Sequence, residues 1–138
     1  MLRQVIYYST ASKYYKAEEL YEIVETFSKN NKLSNITGML LYYNETFLQV
    51  LEGECDNVCE TFNKIKNDSR HYGIFKIVDE ELGQRNFPEW FMGFRVLKSN
   101  EFPKHSSHVQ LNINGFDFEM LGAKPSLAID LLLSFSRR

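Results

Sequence analysis

One stretch of the sequence, T-F-L-Q-V-L-E at 46–52, constrains the fold more than any other. Side chains alternate between the two faces of a strand, so Phe47, Gln49 and Leu51 share one face and the two residues between them share the other. Both faces have the composition of buried surface, which is typical of a strand inside a sheet that is covered on both sides. The rest of the chain therefore has to supply a layer of structure for each face.

Hydrophobic periodicity predicts the other elements in the order strand, helix, strand, strand, helix, strand, strand. β-Branched and aromatic residues mark the strands, and apolar residues at i, i+3, i+4 and i+7 mark the helices. Asn44 and Glu45 separate the second and third strands, which predicts a tight antiparallel hairpin. The predicted strands cover 2–9, 36–43, 46–52, 73–79 and 90–97, and the predicted helices cover 16–30 and 55–66.

This order predicts an α+β fold with a ferredoxin-like, five-stranded mixed sheet. We expect the first strand in the centre, the third strand parallel beside it, the strand order 2-3-1-5-4, and both helices on one face. Residues 98–138 are expected to cover the other face as a linker and a helical cap, whose last helix begins at Pro125. Within them, 109–121 fit either a strand or a helix. We therefore divide the chain into a domain at 1–97 and a tail at 98–138.

The totals exclude several classes of protein. The chain has 138 residues and a formal net charge of −2, whereas nucleic-acid binders usually carry a basic face. It shows no leader segment and no apolar run near the roughly 20 residues that a membrane span requires, so a cytoplasmic location is expected.

Two pairs of potential metal ligands lack the further ligands that a metal site needs. Cys55 and Cys59 have no second cysteine pair and no histidine at ligand spacing, so we interpret them as small packing residues. His105 and His108 lack a third ligand in a recognisable pattern. The sequence therefore predicts no metal site.

Gln49 is out of place, because a buried amide is costly unless its hydrogen bonds are met. Tyr7 lies on the first strand, which the predicted sheet places beside the third. The two side chains can face each other across this pair of strands if they share a face. Alternatively, each bonds only a nearby backbone group, as buried polar side chains usually do.

Polar residues also follow both predicted helices, on the side of the sheet that carries Gln49. Asn30 and Asn31 end the first helix, and Asp68, Arg70 and His71 follow the second; each set also fits a helix cap or a solvated loop. A groove between two helices, floored by a glutamine and a tyrosine, is suited to a planar ligand. The amides would address its polar edges, and Ile23 and Ile65 would line its flat faces.

Together, these residues make the chain resemble the BLUF domains (sensors of blue light using flavin) from about residue 2 to 97. The stretch 98–138 resembles the helical tail of short BLUF proteins. The matching motifs are I-Y-Y-S at 6–9, K-N-N at 29–31, I-T-G-M-L-L-Y at 36–42, F-L-Q-V-L-E-G at 47–53, D-S-R-H at 68–71 and R-N-F-P-E-W-F-M-G at 85–93.

The resemblance implies a role for each matching residue. Tyr7 would donate an electron and then a proton to the excited flavin, and Gln49 would lie between this tyrosine and the flavin. The ring would be sandwiched by Ile23 and Ile65. The other implied residues are Asn30 and Asn31 at the ring, Lys64, Asp68 and Arg70 near the ring edge or phosphate end, and Trp90 and Met92 as a signal relay on the last strand.

The resemblance also implies a photocycle without net chemistry. Gln49 would end rotated or tautomerised, with a new hydrogen bond to flavin O4 that shifts the absorption slightly to the red. FAD is the favoured cofactor, with FMN or riboflavin as alternatives. Output would pass to a protein partner, and the chain would form homo-oligomers, with no nucleic acid or membrane involved.

Three rival interpretations carry less weight. An RNA-recognition domain needs an exposed aromatic platform with basic surroundings, which the third strand lacks. A small hydrolase on this fold needs an anion-binding loop after the first strand, and no glycine or arginine nest is present there. A flavin oxidoreductase would bind the same cofactor and would differ by turning over NADH.

Overall fold

A computed structural model of the chain describes residues 1–89, 91–98, 111–112, 115–116 and 118–136. The predicted elements are present in the predicted order, although their ends differ by a few residues. The elements are β1 (Leu2–Ala11), α1 (Ala17–Leu33), β2 (Thr37–Tyr43), β3 (Thr46–Glu54), α2 (Cys55–Lys66), β4 (His71–Leu82), β5 (Gly93–Val96), β6 (Leu111–Asn112), β7 (Gly115–Phe116), α3 (Phe118–Ala123) and α4 (Pro125–Ser136).

The main sheet has five strands in the order β4-β1-β3-β2-β5, with two helices crossing one face. This confirms the α+β, ferredoxin-like class, and β2 and β5 form the single parallel pair of a mixed sheet. The hairpin between β2 and β3 is also confirmed. Its turn residues, Asn44 and Glu45, have φ angles of 46° and 63°, the left-handed conformation that a two-residue hairpin turn requires.

The predicted strand order 2-3-1-5-4 is wrong in the place of the fifth strand. β4 pairs with β1 along its whole length, and β5 lies on the opposite edge beside β2. The reason is the connection between β4 and β5, where the Arg85 guanidinium bonds the Thr37 hydroxyl and the Asn35 carbonyl at the start of β2. These contacts lead the chain to the β2 edge, and the long β1–β4 ladder leaves no place for a strand between its members.

The predicted parallel pairing of the first and third strands is also wrong, since β1 and β3 are antiparallel. The connection through α1 makes β1 and β2 parallel and leaves room for one strand between them. The tight hairpin then brings β3 into that gap, antiparallel to both neighbours. The sequence therefore predicted correctly that the first and third strands are neighbours, but not that they are antiparallel.

Both faces of the sheet are covered, as the sequence of the third strand predicts. On one face, α1 and α2 pack on apolar side chains of the central strands, among them Leu40 and Leu51. On the other face, α4 packs on Leu41, Leu48 and Val50, each wholly buried. Pro125 begins α4, which confirms that the end of the chain supplies the second layer.

Other features bear on the exclusions made from the sequence. Among the described residues, no helix is long and apolar enough to cross a membrane, and no group of His, Cys, Asp and Glu side chains forms a metal cluster. Cys55 and Cys59 are free thiols. His105 and His108 lie outside the described residues.

Candidate functional site

Tyr7 and Gln49 face each other across β1 and β3. They are partners in the antiparallel register, and the Tyr7 hydroxyl donates a hydrogen bond to the Gln49 side-chain oxygen. Both side chains are buried, with 3% and 2% of their surface exposed. The prediction that they meet is therefore confirmed, and the alternative of separate backbone partners does not hold for this pair.

Gln49 has a second partner, the thioether of Met92. Its amide nitrogen lies 3.3 Å from the Met92 sulfur, which is a weak acceptor. Met92 is buried just before β5 begins. The preceding residue is held as well, because the Asn31 amide donates to the Phe91 carbonyl at 2.9 Å. The residues just before β5 are therefore bonded both to Gln49 in the centre of β3 and to the end of α1.

A cleft opens beside this pair, between α1 and α2. Ile23 and Ile65 line it from the two helices, and Tyr7 and Gln49 line its floor. Its empty volume is about 450 Å³, part of which is open to solvent. A neighbouring cavity continues toward the end of α1. The further lining residues of the first cleft are Tyr15, Leu20, Val24, Phe27, Leu40, Phe47, Asp68, Arg70 and His71.

Asp68 and Arg70 form the polar rim of the cleft. The Asp68 carboxylate accepts hydrogen bonds from the Arg70 backbone amide at 2.9 Å and from its guanidinium, and the Arg70 hydrogen bond lowers the pKa of Asp68. The Arg70 guanidinium also lies 5.1 Å from the centre of the Phe27 ring. This cation–π contact holds a positive charge at the mouth of the cleft.

Tyr7 lies in surroundings that keep its phenol protonated. Burial raises its pKa, and the negative charge of Asp68 raises it further. The ring packs edge-on against Phe62, with 5.6 Å between ring centres. A phenol in such a place stays protonated and acts as a hydrogen-bond donor at physiological pH.

His71 is a residue whose place the sequence did not reveal. The sequence allows either a solvated loop or a place beside the groove, and the structure places His71 in the lining of the cleft. Its Nδ1 lies 2.7 Å from the Ser9 hydroxyl and its Nε2 lies 2.6 Å from the Ile65 carbonyl. It therefore joins β1 to the end of α2 beside the Tyr7 ring. Its motif, D-S-R-H, carries no signal that separates a packed histidine from an exposed one.

The other predicted residues fall into three groups. Asn31 is buried and lines the second cavity, and Asn30 and Lys64 line that cavity with exposed side chains. Lys64 also pairs with Glu60 at 3.6 Å. Trp90 lies outside the described residues, so its place in a relay stays a prediction.

These surroundings fit a flavin. Two isoleucines on different helices provide apolar walls, and the buried Gln49 amide faces the cleft that they line. Amides at the end of α1 and the Asp68 carboxylate extend the polar contacts along the adjoining cavity, and Arg70 pairs with Asp68 at the rim of the first cleft. A flat aromatic ring system with imide and carbonyl edges and a charged tail needs this combination of walls and donors.

Comparison with known proteins agrees with this chemistry. A family model described as sensors of blue light using FAD matches residues 2–93. The photoactivated adenylate cyclase subunit beta of Euglena longa is 33% identical over 90 residues, which are 64% of this chain and 10% of that protein. The chain thus spans about a tenth of the length of this relative.

Two solved structures are similar in fold. A bacterial light-regulated adenylyl cyclase matches with a TM-score of 0.70 and 31% identity, over 100% of this chain and 35% of that one. The ground state of BlsA matches with a TM-score of 0.65 and 31% identity, over 72% of this chain and 68% of that one.

Proposed function

Because the chain belongs to the BLUF family of flavin-binding blue-light sensors, we propose that Tyr7 and Gln49 are the photoactive pair of its sensor. The observation that carries the proposal is the buried hydrogen bond from the Tyr7 hydroxyl to the Gln49 amide at the floor of the cleft. We assign 1–97 to the flavin-binding domain and 98–138 to a linker and cap. A BLUF domain is a sensor without catalytic activity of its own.

Specific residues would hold the flavin. Ile23 and Ile65 would contact the two faces of the ring, because they line the cleft from different helices. Asn30 and Asn31 would address the polar edge of the ring. Further along the cleft, Lys64, Asp68 and Arg70 would lie toward the ring edge or the phosphate end. This grouping suits FAD, which the family model names, and FMN shares the ring that these contacts recognise.

The bound flavin would supply the absorption of blue light and an acceptor for one electron. Tyr7 would lose an electron and then its phenolic proton, and it would recover both before the cycle ends. While its O–H is lost, Tyr7 has no proton to donate, so the Gln49 oxygen loses its donor. Gln49 can then rotate or tautomerise, and its amide gains a new hydrogen bond to flavin O4. No bond to the protein forms and no net redox change occurs.

Met92 would carry the change onward. The Gln49 amide nitrogen lies 3.3 Å from the Met92 sulfur. After rotation or tautomerisation of Gln49, a different group of its side chain would face this sulfur. Met92 directly precedes β5, whose Arg95 guanidinium lies 5.3 Å from the Phe135 ring centre on α4. Trp90 would share this relay. The proposed direction of the signal is therefore from the cleft, along β5, to the cap.

We propose that the signal passes to a protein partner and through self-association. One solved structure of similar fold is a light-regulated adenylyl cyclase. The cytoplasmic location stays a prediction.

The test is the visible spectrum of the purified protein in the dark and after blue light. We expect a bound oxidised flavin whose absorption shifts slightly to the red and returns in the dark, without consumption of added NADH. A flavin that bleaches or stays unchanged would contradict the photocycle. Turnover of NADH would favour a flavin oxidoreductase.

A further inference from the structure

Glu52 is a buried acid on the face of β3 that lies away from the cleft. It follows Gln49 by three positions on the same strand, and none of its surface is exposed. Its Oε2 accepts a hydrogen bond from the Gln4 amide at 2.7 Å. Its Oε1 accepts the backbone N–H groups of Asn86 at 2.8 Å and Phe87 at 2.7 Å.

This carboxyl group is costly to the fold. Taking a carboxylate out of water is unfavourable, and its hydrogen bonds have to offset that cost. The Gln4 side-chain oxygen beside it is buried and has no hydrogen-bond partner among the residues that the structure describes. Glu52 is therefore poorly explained as a source of stability. What it does provide is directed acceptors for two consecutive backbone amides.

The two amides belong to the segment 83–92, which joins β4 to β5. Arg85 holds the same part of the segment, because its guanidinium bonds the Thr37 hydroxyl at 2.8 Å, the Glu52 carbonyl at 2.9 Å and the Asn35 carbonyl at 2.8 Å. Phe87 is buried in the apolar cluster on the cap side. The segment is thus fixed at 85–87 on one face of the sheet.

Its other end is fixed on the opposite face. Met92 follows Phe87 by five positions and meets the Gln49 amide in the cluster on the cleft side. Five residues span at most about 17 Å, so the place of the first end limits the reach of the second. We therefore expect a shift of the segment at Glu52 to displace Met92, which Gln49 contacts.

We propose that Glu52 is a positioning residue for the photoresponse, which by holding the amides of Asn86 and Phe87 places Met92 against Gln49. The proposal rests on the proposed function, since it gives Glu52 a role in a switch centred on Gln49. Glu52 does not touch the cleft. It acts through the backbone that carries Met92.

Two substitutions at Glu52 distinguish a positioning role from a general contribution to stability. Glu52→Ala removes the acceptors of both amides. Glu52→Gln keeps one oxygen for the two amides, and its NH₂ can donate to the Gln4 oxygen that has no partner, once the Gln4 amide turns over. Glu80→Ala, an exposed acid on β4, is the matched control.

The experiment uses flavin-loaded protein and two readouts. Hydrogen exchange in the dark reports protection of the Asn86 and Phe87 amides, and absorption spectroscopy reports the rate at which the red-shifted form recovers. We expect Glu52→Ala to keep the flavin, to lose about tenfold in amide protection, and to change the recovery rate by about threefold or more. Glu52→Gln and Glu80→Ala should both stay within about twofold of the wild type.

The remaining outcomes either contradict the proposal or separate its failure from a failure of the proposed function. Unprotected amides with an unchanged recovery rate would show that the anchor does not position Met92, and protected amides would show that Glu52 is not the anchor. If Glu52→Ala does not fold, Arg85→Ala takes its place, and normal recovery with unprotected amides would again overturn the proposal. A wild type without any red shift would remove the proposed function, while the exchange data would still test the anchor.

Discussion

The same two strands, β1 and β3, hold a buried polar pair on each face of the sheet. Tyr7 and Gln49 form the pair on the cleft side, and Gln4 and Glu52 form the pair on the cap side. Both pairs are in register in the same ladder, and both contact the segment 83–92. The pairs differ in what lies beside them: the first borders a cleft, and the second is enclosed by packed side chains and backbone.

The difference separates a pair that can change from a pair that stays fixed. Space beside Gln49 would give its amide another partner if the Tyr7 hydroxyl stopped donating, as the proposed photocycle requires. The Glu52 carboxylate has its acceptors occupied by a side-chain amide and two backbone amides, so its rearrangement would leave buried donors unsatisfied. In the roles proposed above, similar hydrogen-bonding groups on one ladder would serve as a switch on one face and as a support on the other.

Replacing the glutamine of each pair with leucine should give the strongest contrast. We expect Gln49→Leu to keep the fold and the flavin but to abolish the red shift, because leucine cannot form the new hydrogen bond. Gln4→Leu should keep the red shift and lower the free energy of unfolding by about 1–3 kcal/mol, because Glu52 loses a buried donor. Light-minus-dark absorption and urea unfolding measure the two effects. A red shift in Gln49→Leu would contradict the switch role assigned to Gln49.

Two adjacent tyrosines on β1 provide the second test. Tyr7→Phe removes the electron and proton donor and should abolish the red shift while leaving the flavin bound. Tyr8→Phe changes the neighbouring ring, which faces away from the cleft and stacks on Phe75 at 5.3 Å, and the red shift should remain. Transient absorption after a blue pulse records both variants. Equal behaviour of the two variants would remove the role assigned to Tyr7.

Met92→Leu should have a smaller effect. The substitution keeps the volume of the side chain, so the free energy of unfolding should change by less than about 1.5 kcal/mol. It removes the sulfur that the Gln49 nitrogen contacts, so the red shift should persist and the recovery rate should change by a few fold. Met39→Leu, on the cap side, is the control. Identical recovery in both variants would argue that the contact with Met92 does not bear on the switch.

The smallest expected effect is a dependence of stability on pH. Burial raises the pKa of Glu52 above its ordinary value of 4.5, while the amide donors lower it, so the folded protein binds this proton more tightly than the unfolded chain does. The contribution of Glu52 to stability is therefore complete below pH 4.5 and is lost as the pH rises through the folded pKa.

Urea unfolding across this pH range checks the sign. Relative to Glu52→Gln, which cannot titrate, the wild type should lose stability as the pH rises from the unfolded pKa through the folded one. The exposed Glu80→Gln variant serves as the control. A wild type that gains stability over Glu52→Gln on raising the pH would show that the amide donors outweigh burial.

The cleft-side pair was predictable from the sequence, and the support on the cap side was not. Alternation along F-L-Q-V-L-E placed Gln49 among buried residues, and the fold class made the first strand its neighbour, so Tyr7 followed even though the predicted strand direction was wrong. The same alternation put Glu52 at the end of a strand, where an exposed acid is ordinary. Its burial depends on backbone amides that lie about 34 residues later in the chain.

The fifth strand was predicted in the wrong place for the same reason, because its position depends on contacts between distant residues. β5 is four residues long, and nothing in its own pattern identifies its neighbour. Arg85 and the anchored backbone at 86–87 lead it to β2, and these are contacts between distant residues. Local periodicity therefore predicted that a strand forms, and side-chain contacts elsewhere determine where it pairs.

The most direct test of the switch is the infrared difference spectrum of the flavin-loaded wild type between the dark and the blue-light state. Flavin labelled with carbon-13 at C4 assigns the band of the carbonyl that would gain the hydrogen bond. We predict a lower C4=O stretching frequency in the light, with the flavin still oxidised, since a hydrogen bond weakens the carbonyl bond. An unchanged C4=O band, or bands of a reduced flavin that persist in the light state, would contradict the account.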